Sequence, residues 1–203
     1  MPKPDFAHES RLLRAGMAYI AGVDEVGRGA LAGPVAVAAV ILDPDDLPVG
    51  IDDSKALSAK RRGAAFAAIM AKARAVAVAT ASAGEIDALN IRGATLLAMR
   101  RAVGGLAIPA SFALIDGRDI PPGLFCPAQA IIKGDASSLS IAAASIVAKV
   151  CRDAMMTRLH ALYPAYGFAA HVGYGTAQHL QALKTHGATP LHRLSFAPCS
   201  NPA

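Results

Sequence analysis

From Gly33 to Leu42 the chain reads GPVAVAAVIL, ten residues with no polar side chain. Extended back to Ala30 the apolar run is 13 residues long and holds Pro34, whereas a bilayer span needs about 20. Small and β-branched residues in a short run without alternation read as a strand buried on both faces. Such a strand needs cover on both sides of its sheet, and helices are what covers it. The other segments supply the parts. Tyr19 to Asp24, Val76 to Ala81, Phe112 to Asp116 and Ala128 to Ile132 read as strands. Ser58 caps a helix to about Arg74, and Glu85 to Val103 is helical with Asn90 and Gly93 as possible breaks. Ser137 to Leu162 is a long helical pattern stopped before Pro164, and Thr176 to His186 is a helix ended by Gly187. Asp43 to Gly50 is a loop, and Tyr166 to Thr176 is glycine-rich and irregular. Three early strands, then helix, then two more strands predict an α/β fold with a mixed sheet and helices on both faces.

With 203 residues, 54% of them hydrophobic, the chain suits one folded domain with a sizeable core. No repeat or low-complexity linker interrupts it. Met1 to Ser10 holds two acids and two prolines, unlike a signal peptide, so the expected location is the cytoplasm. Cys126, Cys151 and Cys199 are widely spaced with no CxxC pair, which argues for reduced thiols rather than a zinc site. The net charge of +5 is uneven. Residues 1–132 hold 14 Lys/Arg against 13 Asp/Glu, and residues 133–203 hold 6 against 2. That basic C-terminal part suggests contact with phosphates, although many soluble proteins carry such a bias without a polyanion.

Asp24 and Glu25 stand side by side among Ile20, Ala21, Val23 and Val26. Acids at the end of an apolar strand need compensation unless they are simply solvated there. Neighbours in a strand point to opposite faces, so both reach one ion only at a strand end or a distortion. Gly27 and Gly29 permit such a turn. Asp116 ends the strand FALID and Asp135 follows AIIKG. Each lies at the C-terminal end of a strand, the edge where open α/β sheets bind ligands. Taken singly, either is more often a cap or loop carboxylate than a ligand. If the strands are neighbours, four carboxylates converge, which is costly without cations. An all-oxygen set suits Mg²⁺ or Mn²⁺, and two such ions clamp the attacking and leaving oxygens of a phosphodiester. Gly27-Arg28-Gly29 would let backbone amides approach a sugar or phosphate. Asp53-Ser54-Lys55 offers a hydroxyl and an ammonium to phosphate, or is a solvated turn.

Seven blocks make the pattern specific. The segment YIAGVDEVGRGALAGP (residues 19–34) resembles the N-terminal signature of ribonuclease HII. Asp53 to Lys55, Leu114 to Gly117, Lys133 to Asp135, Ser140 to Asp153, Tyr166 to Thr176 and His186 to Pro198 also resemble that family, in its order. The resemblance implies a ribonuclease H-like domain over residues 19–198, with a five-stranded mixed sheet and a C-terminal helical part. Residues 1–18 are an extension, too short for the additional N-terminal domain of ribonuclease HIII, and 199–203 a short tail. By the same resemblance Asp24, Glu25, Asp116 and Asp135 are the catalytic, metal-binding carboxylates for Mn²⁺ or Mg²⁺. Gly27, Arg28 and Gly29 read the ribonucleotide, Ser54 and Lys55 contact the backbone, and Tyr174 packs on the next deoxyribose. The implied activity is cleavage of RNA in RNA–DNA hybrids, and 5′ to ribonucleotides in duplex DNA, with 5′-phosphate and 3′-hydroxyl ends. The implied role lies in ribonucleotide excision repair and DNA replication, by a monomer away from any membrane. Departures are Val172, where many relatives have lysine, Arg118, where asparagine is frequent, and Leu194, where a second arginine is common. Two other classes remain. A nucleotide switch would need GxxxxGK followed by Ser or Thr, and no such string occurs. A non-catalytic binding protein would have lost one of the four acids, and all four are present.

Overall fold

The computed structural model describes residues 3–52 and 57–200. Helix α1 (Ala7–Arg14) precedes a meander of β1 (Ile20–Val26), β2 (Val35–Ile41) and β3 (Ala75–Ala81), whose strands pair antiparallel. Strand β4 (Phe112–Asp116) joins the other side of β1 in parallel, and β5 (Ala128–Ile131) continues in parallel, giving the order β3-β2-β1-β4-β5. Helices α2 (Ala59–Lys72), α3 (Ala83–Gly104) and α4 (Leu139–Leu162) cover the sheet.

All seven residues of β2 are buried, as its composition requires. Alternate residues feed two cores. Val35, Val37, Ala39 and Ile41 pack with Ile86, Ala94, Ala98 and Ala102 of α3. Ala38 and Val40 pack with Ala142, Ala143, Ile146 and Val147 of α4 and with Ile69 of α2. The same alternation sends Ala21 and Val23 of β1 toward α3, and hence Gly22 and Asp24 toward α4.

At Gly22 the backbone of α4 lies against the strand: a Cβ there would come within 2.1 Å of the Ser140 carbonyl carbon. We expect Gly22→Ala to push α4 off the sheet and destabilise the fold by about 1–3 kcal/mol. The measurement is a lowered denaturant midpoint at unchanged slope. The start of α4 is held from the other side by α1. The buried Glu9 carboxyl group accepts from the Ser138 hydroxyl at 2.6 Å and the Ser140 amide at 2.9 Å.

After α4 come α5 (Phe168–His171), α6 (Ala177–His186) and α7 (Ala197–Ser200). They build a third cluster around Leu31, Ala32, Met156, Tyr166, Phe168 and Leu183. Sequence and structure differ in four places. Strand β1 runs through both acids to Val26. Asn90 alone breaks α3, at φ 58°, while Gly93 is helical. The segment after Tyr166 contains α5. The sequence pattern also gave no sign of α1. No described helix is long and apolar enough to cross a membrane.

Candidate active site

Parallel pairing of β1 with β4 ends at Val23 opposite Ile115. Asp24 and Glu25 therefore project past the last pair, beside Asp116 at the end of β4. One carboxylate oxygen from each of the three lies within 4.8 Å of the other two. Strand alternation gives each acid its own surroundings. Asp24, on the α4 side, accepts the Glu25 amide at 2.7 Å and the hydroxyl of Ser145. Glu25 takes Arg28 Nη1 at 3.4 Å and borders a depression with Arg92 and Thr95 of α3. Asp116 accepts the Gly134 amide at 2.6 Å. A Cβ at Gly134 would lie 2.5 Å from Ile141 Cδ1 and 3.3 Å from Asp116 Oδ1, so a side chain there would push Ile141 aside and crowd Asp116. Asp135 lines the same cleft of about 310 Å³, together with Lys149 and Tyr174, but stands outside the tight group of three.

The electrostatics follow from this crowding. Burial, then the charges of Glu25 and Asp116, hold the Asp24 carboxyl well above the ordinary range, against the Ser145 hydrogen bond. Burial likewise raises Glu25, with Arg28 opposing and Asp116 adding to the rise. Carboxylates forced together in a low-dielectric cleft are expensive unless a cation shares them. The donor set is all oxygen, which fits Mg²⁺ or Mn²⁺. Arg118 borders the same depression as Arg28 and Arg92, and Arg92 grips Asp119 through two hydrogen bonds of 2.9 and 2.7 Å.

The turn of Gly27, Arg28 and Gly29 is held from inside. Arg193 is fully buried and donates to the carbonyls of Gly27 and Arg28 at 2.7 Å each, and to that of Gly33 at 3.0 and 3.1 Å. Arg152, also fully buried, donates to the carbonyls of Pro34, Val172 and Ala32. Gly27 has φ +90°, and a Cβ on it would collide with the Arg152 guanidinium at 2.1 Å. Burial, followed by repulsion from Arg152, draws Arg193 down to about 10, still protonated at neutral pH. The Tyr174 ring lies 4.0 Å from where a Gly29 Cβ would be, and Arg152 sits 5.6 Å from its centroid.

Of the residues singled out in the sequence, Asp24, Glu25 and Asp116 meet, with Asp135, Gly29 and Tyr174 around them. Ser54 and Lys55 lie outside the described residues. The basic excess of residues 133–203 is not a phosphate-facing surface in full: Arg152 and Arg193 are buried against backbone, and Lys149 pairs with Asp153 at 2.9 Å. Ser145, Lys149 and Arg152 were missed as individuals. Their spacing of four and three residues along α4 was the available signal, since it places all three on one face.

Comparison with known proteins shows the family. The family model for ribonuclease HII matches residues 21–199. A ribonuclease HII from Rhizobium johnstonii is 60% identical over 195 residues, 96% of this chain and 85% of the relative. One from Brucella ovis is 57% identical over 196 residues, 96% of this chain and 89% of the relative. Among solved structures, the ribonuclease H2 of Pyrococcus horikoshii superposes with a TM-score of 0.76 at 25% identity, covering 91% of this chain and 97% of that one. The ribonuclease HII of Archaeoglobus fulgidus, solved in complex with PCNA, gives 0.75 at 27% identity over 88% and 95%. A mixed five-stranded sheet, carboxylates gathered at the ends of β1 and β4, and a family match over nearly the whole length lead to one assignment: the chain is an endoribonuclease of the ribonuclease HII family.

Proposed function

We propose that this enzyme hydrolyses the RNA strand of RNA–DNA hybrids and cuts 5′ to ribonucleotides embedded in duplex DNA, leaving 5′-phosphate and 3′-hydroxyl ends. The observation that carries the reading is the group Asp24, Glu25 and Asp116, crowded and partly buried beside a glycine turn and an aromatic ring. These three, extended by Asp135, would hold two divalent cations, Mg²⁺ or Mn²⁺. When bound, such ions supply positive charge to the attacking and leaving oxygens of the phosphodiester. The protein's own part is orientation. Ser145 and the Glu25 amide fix Asp24, and the Gly134 amide fixes Asp116. With their carbonyls turned to Arg193, Gly27 and Arg28 offer the other edge of their peptides to the ribose, whose 2′-hydroxyl distinguishes RNA from DNA. Tyr174 packs on the following deoxyribose, where a ribose would be crowded. Such an activity serves ribonucleotide excision repair and DNA replication.

The test is a ratio. Loss of positioning costs about 100-fold in rate, so Tyr174→Ala should lower kcat/KM on a duplex with one ribonucleotide by about that factor. A continuous RNA–DNA hybrid should suffer much less, because each position there is followed by a ribose in any case. An unchanged ratio between the two substrates, in a variant that melts like wild type, would leave Tyr174 as scaffold.

A further inference from the structure

Beneath the Tyr174 loop lie three histidines that the chemistry above does not use. His179 is fully buried, His192 is 2% exposed and His171 is 8% exposed. The His171 and His179 rings stack at 4.7 Å. The hydrogen bonds around them have a direction that can be read from their ends. A backbone amide only donates and a backbone carbonyl only accepts. The Thr189 amide donates to His192 Nδ1 at 2.9 Å, so that nitrogen carries a lone pair and a neutral His192 has its proton on Nε2. His192 Nε2 lies 3.0 Å from His179 Nε2, which must therefore accept. The proton of His179 is then on Nδ1, and Nδ1 lies 2.9 Å from the carbonyl oxygen of Tyr174. Each link forces the next, from Thr189 to Tyr174. His171 does the same one residue earlier: its Nδ1 accepts the Gly173 amide at 3.2 Å, which leaves Nε2 to donate to the Tyr166 carbonyl at 2.7 Å.

We propose that His192 and His179 are positioning residues for substrate recognition: a one-way chain of neutral imidazoles that fixes the peptide of Tyr174 and so the place of its ring in the cleft. This rests on the reading of Tyr174 as the residue that packs on the sugar after the ribonucleotide. The chain fits the surroundings of the loop. The Gly173 carbonyl is already taken by the Leu31 amide at 2.8 Å, and Tyr174 stands opposite Gly29, so a small rotation of its peptide would move the ring against the glycine turn. The link needs His179 uncharged, since a proton on His179 Nε2 would face the His192 donor. A proton on His192 Nδ1 would face the Thr189 amide, with the Thr189 hydroxyl, also 2.9 Å away, as its acceptor. Burial, with His179 beside it, holds His192 at about 4, which keeps it neutral under working conditions.

Two substitutions at one position separate positioning from packing. Asparagine at 192 keeps an oxygen near the Nδ1 position for Thr189 but has no donor to His179. Glutamine places an amide donor near the Nε2 position. The experiment compares wild type, His192→Asn, His192→Gln and Tyr174→Ala, all confirmed folded by thermal melts. Nitrogen-15 NMR of the histidine rings at pH 7 reads the tautomers. We expect a proton on His179 Nδ1 and on His192 Nε2 in wild type. We expect shifted Tyr174 ring signals in His192→Asn and near-native ones in His192→Gln. The kcat/KM ratio of the single-ribonucleotide duplex to the continuous hybrid should drop about tenfold in His192→Asn and recover in His192→Gln. A His179 Nδ1 without a proton, or equal effects of the two variants on the Tyr174 signals, overturns the chain. If Tyr174→Ala itself leaves the ratio unchanged, the reading of Tyr174 fails. The chain is then judged on the NMR signals alone: the expected tautomers and ring shifts sustain it, and their absence overturns it.

Discussion

Asp24→Asn should abolish turnover and at the same time make the metal-free protein more stable. The first effect follows from charge. Stabilisation of several kcal/mol by bound cations depends on the carboxylates that hold them, and each 1.4 kcal/mol is about tenfold in rate. A loss of about 1,000-fold or more is expected. The second effect follows from burial. Asp24 is 5% exposed and faces Glu25 and Asp116, so its charged form is penalised in the folded state. Asparagine keeps an oxygen for the Glu25 amide and removes the charge. The melting temperature should rise by about 2–4 °C, which for a chain of this size is about 1 kcal/mol. The pH dependence has a definite sign. A carboxyl whose folded value is raised favours folding below its unfolded value, near 4, and that advantage is lost as pH rises through the folded value. The gain from Asp24→Asn should therefore be large at neutral pH and vanish toward pH 4. A marked loss of metal-free stability at pH 7 would make Asp24 a structural anchor instead.

Arg193→Ala should cost the most stability of any single change in the C-terminal part. The guanidinium makes four hydrogen bonds to the carbonyls of Gly27, Arg28 and Gly33, all from a fully buried position. Truncation leaves a cavity and strands those acceptors away from water. Losses of this kind are about 2–5 kcal/mol, or a fall of roughly 10 °C in Tm. Lysine should not rescue the fold, because one ammonium on a flexible stem cannot reproduce a planar fork aimed at three carbonyls. Thermal melts of Arg193→Ala and Arg193→Lys check both statements. A loss under about 1 kcal/mol would mean that the turn holds its shape without the arginine.

The contrast between these two residues shows what the sequence carries openly. Asp24 was legible because an acid in an apolar strand contradicts its surroundings, and because Asp116 repeats the contradiction at a second strand end. The sheet was legible for the same kind of reason: β2 has no polar residue with which to face water. Arg193 was illegible because nothing local distinguishes a buried arginine from a surface one. Its partners at Gly27 lie 166 positions away, and they are carbonyls, which every residue has. Arg152 was hidden in the same way, so a basic C-terminal excess read as a surface is partly internal scaffolding. Helix α1 escaped notice since it is short and mostly polar, and its buried residue, Glu9, is an acid whose partners are Ser138 and Ser140 of a distant helix start. The tautomers of His179 and His192 are set by groups at both ends of a chain that only the folded protein assembles.

As proposed, Asp24, Glu25 and Asp116 gather divalent cations to hydrolyse the bond on the 5′ side of a ribonucleotide. The most direct measurement is single-turnover cleavage of a labelled DNA duplex holding one ribonucleotide, with Mg²⁺ or Mn²⁺ and with chelator. The expected result is one cut, 5′ to the ribonucleotide, leaving a 3′-hydroxyl and a 5′-phosphate, absent with chelator and absent in Asp24→Asn. Cleavage that persists with chelator, or that survives in Asp24→Asn at a comparable rate, would contradict it.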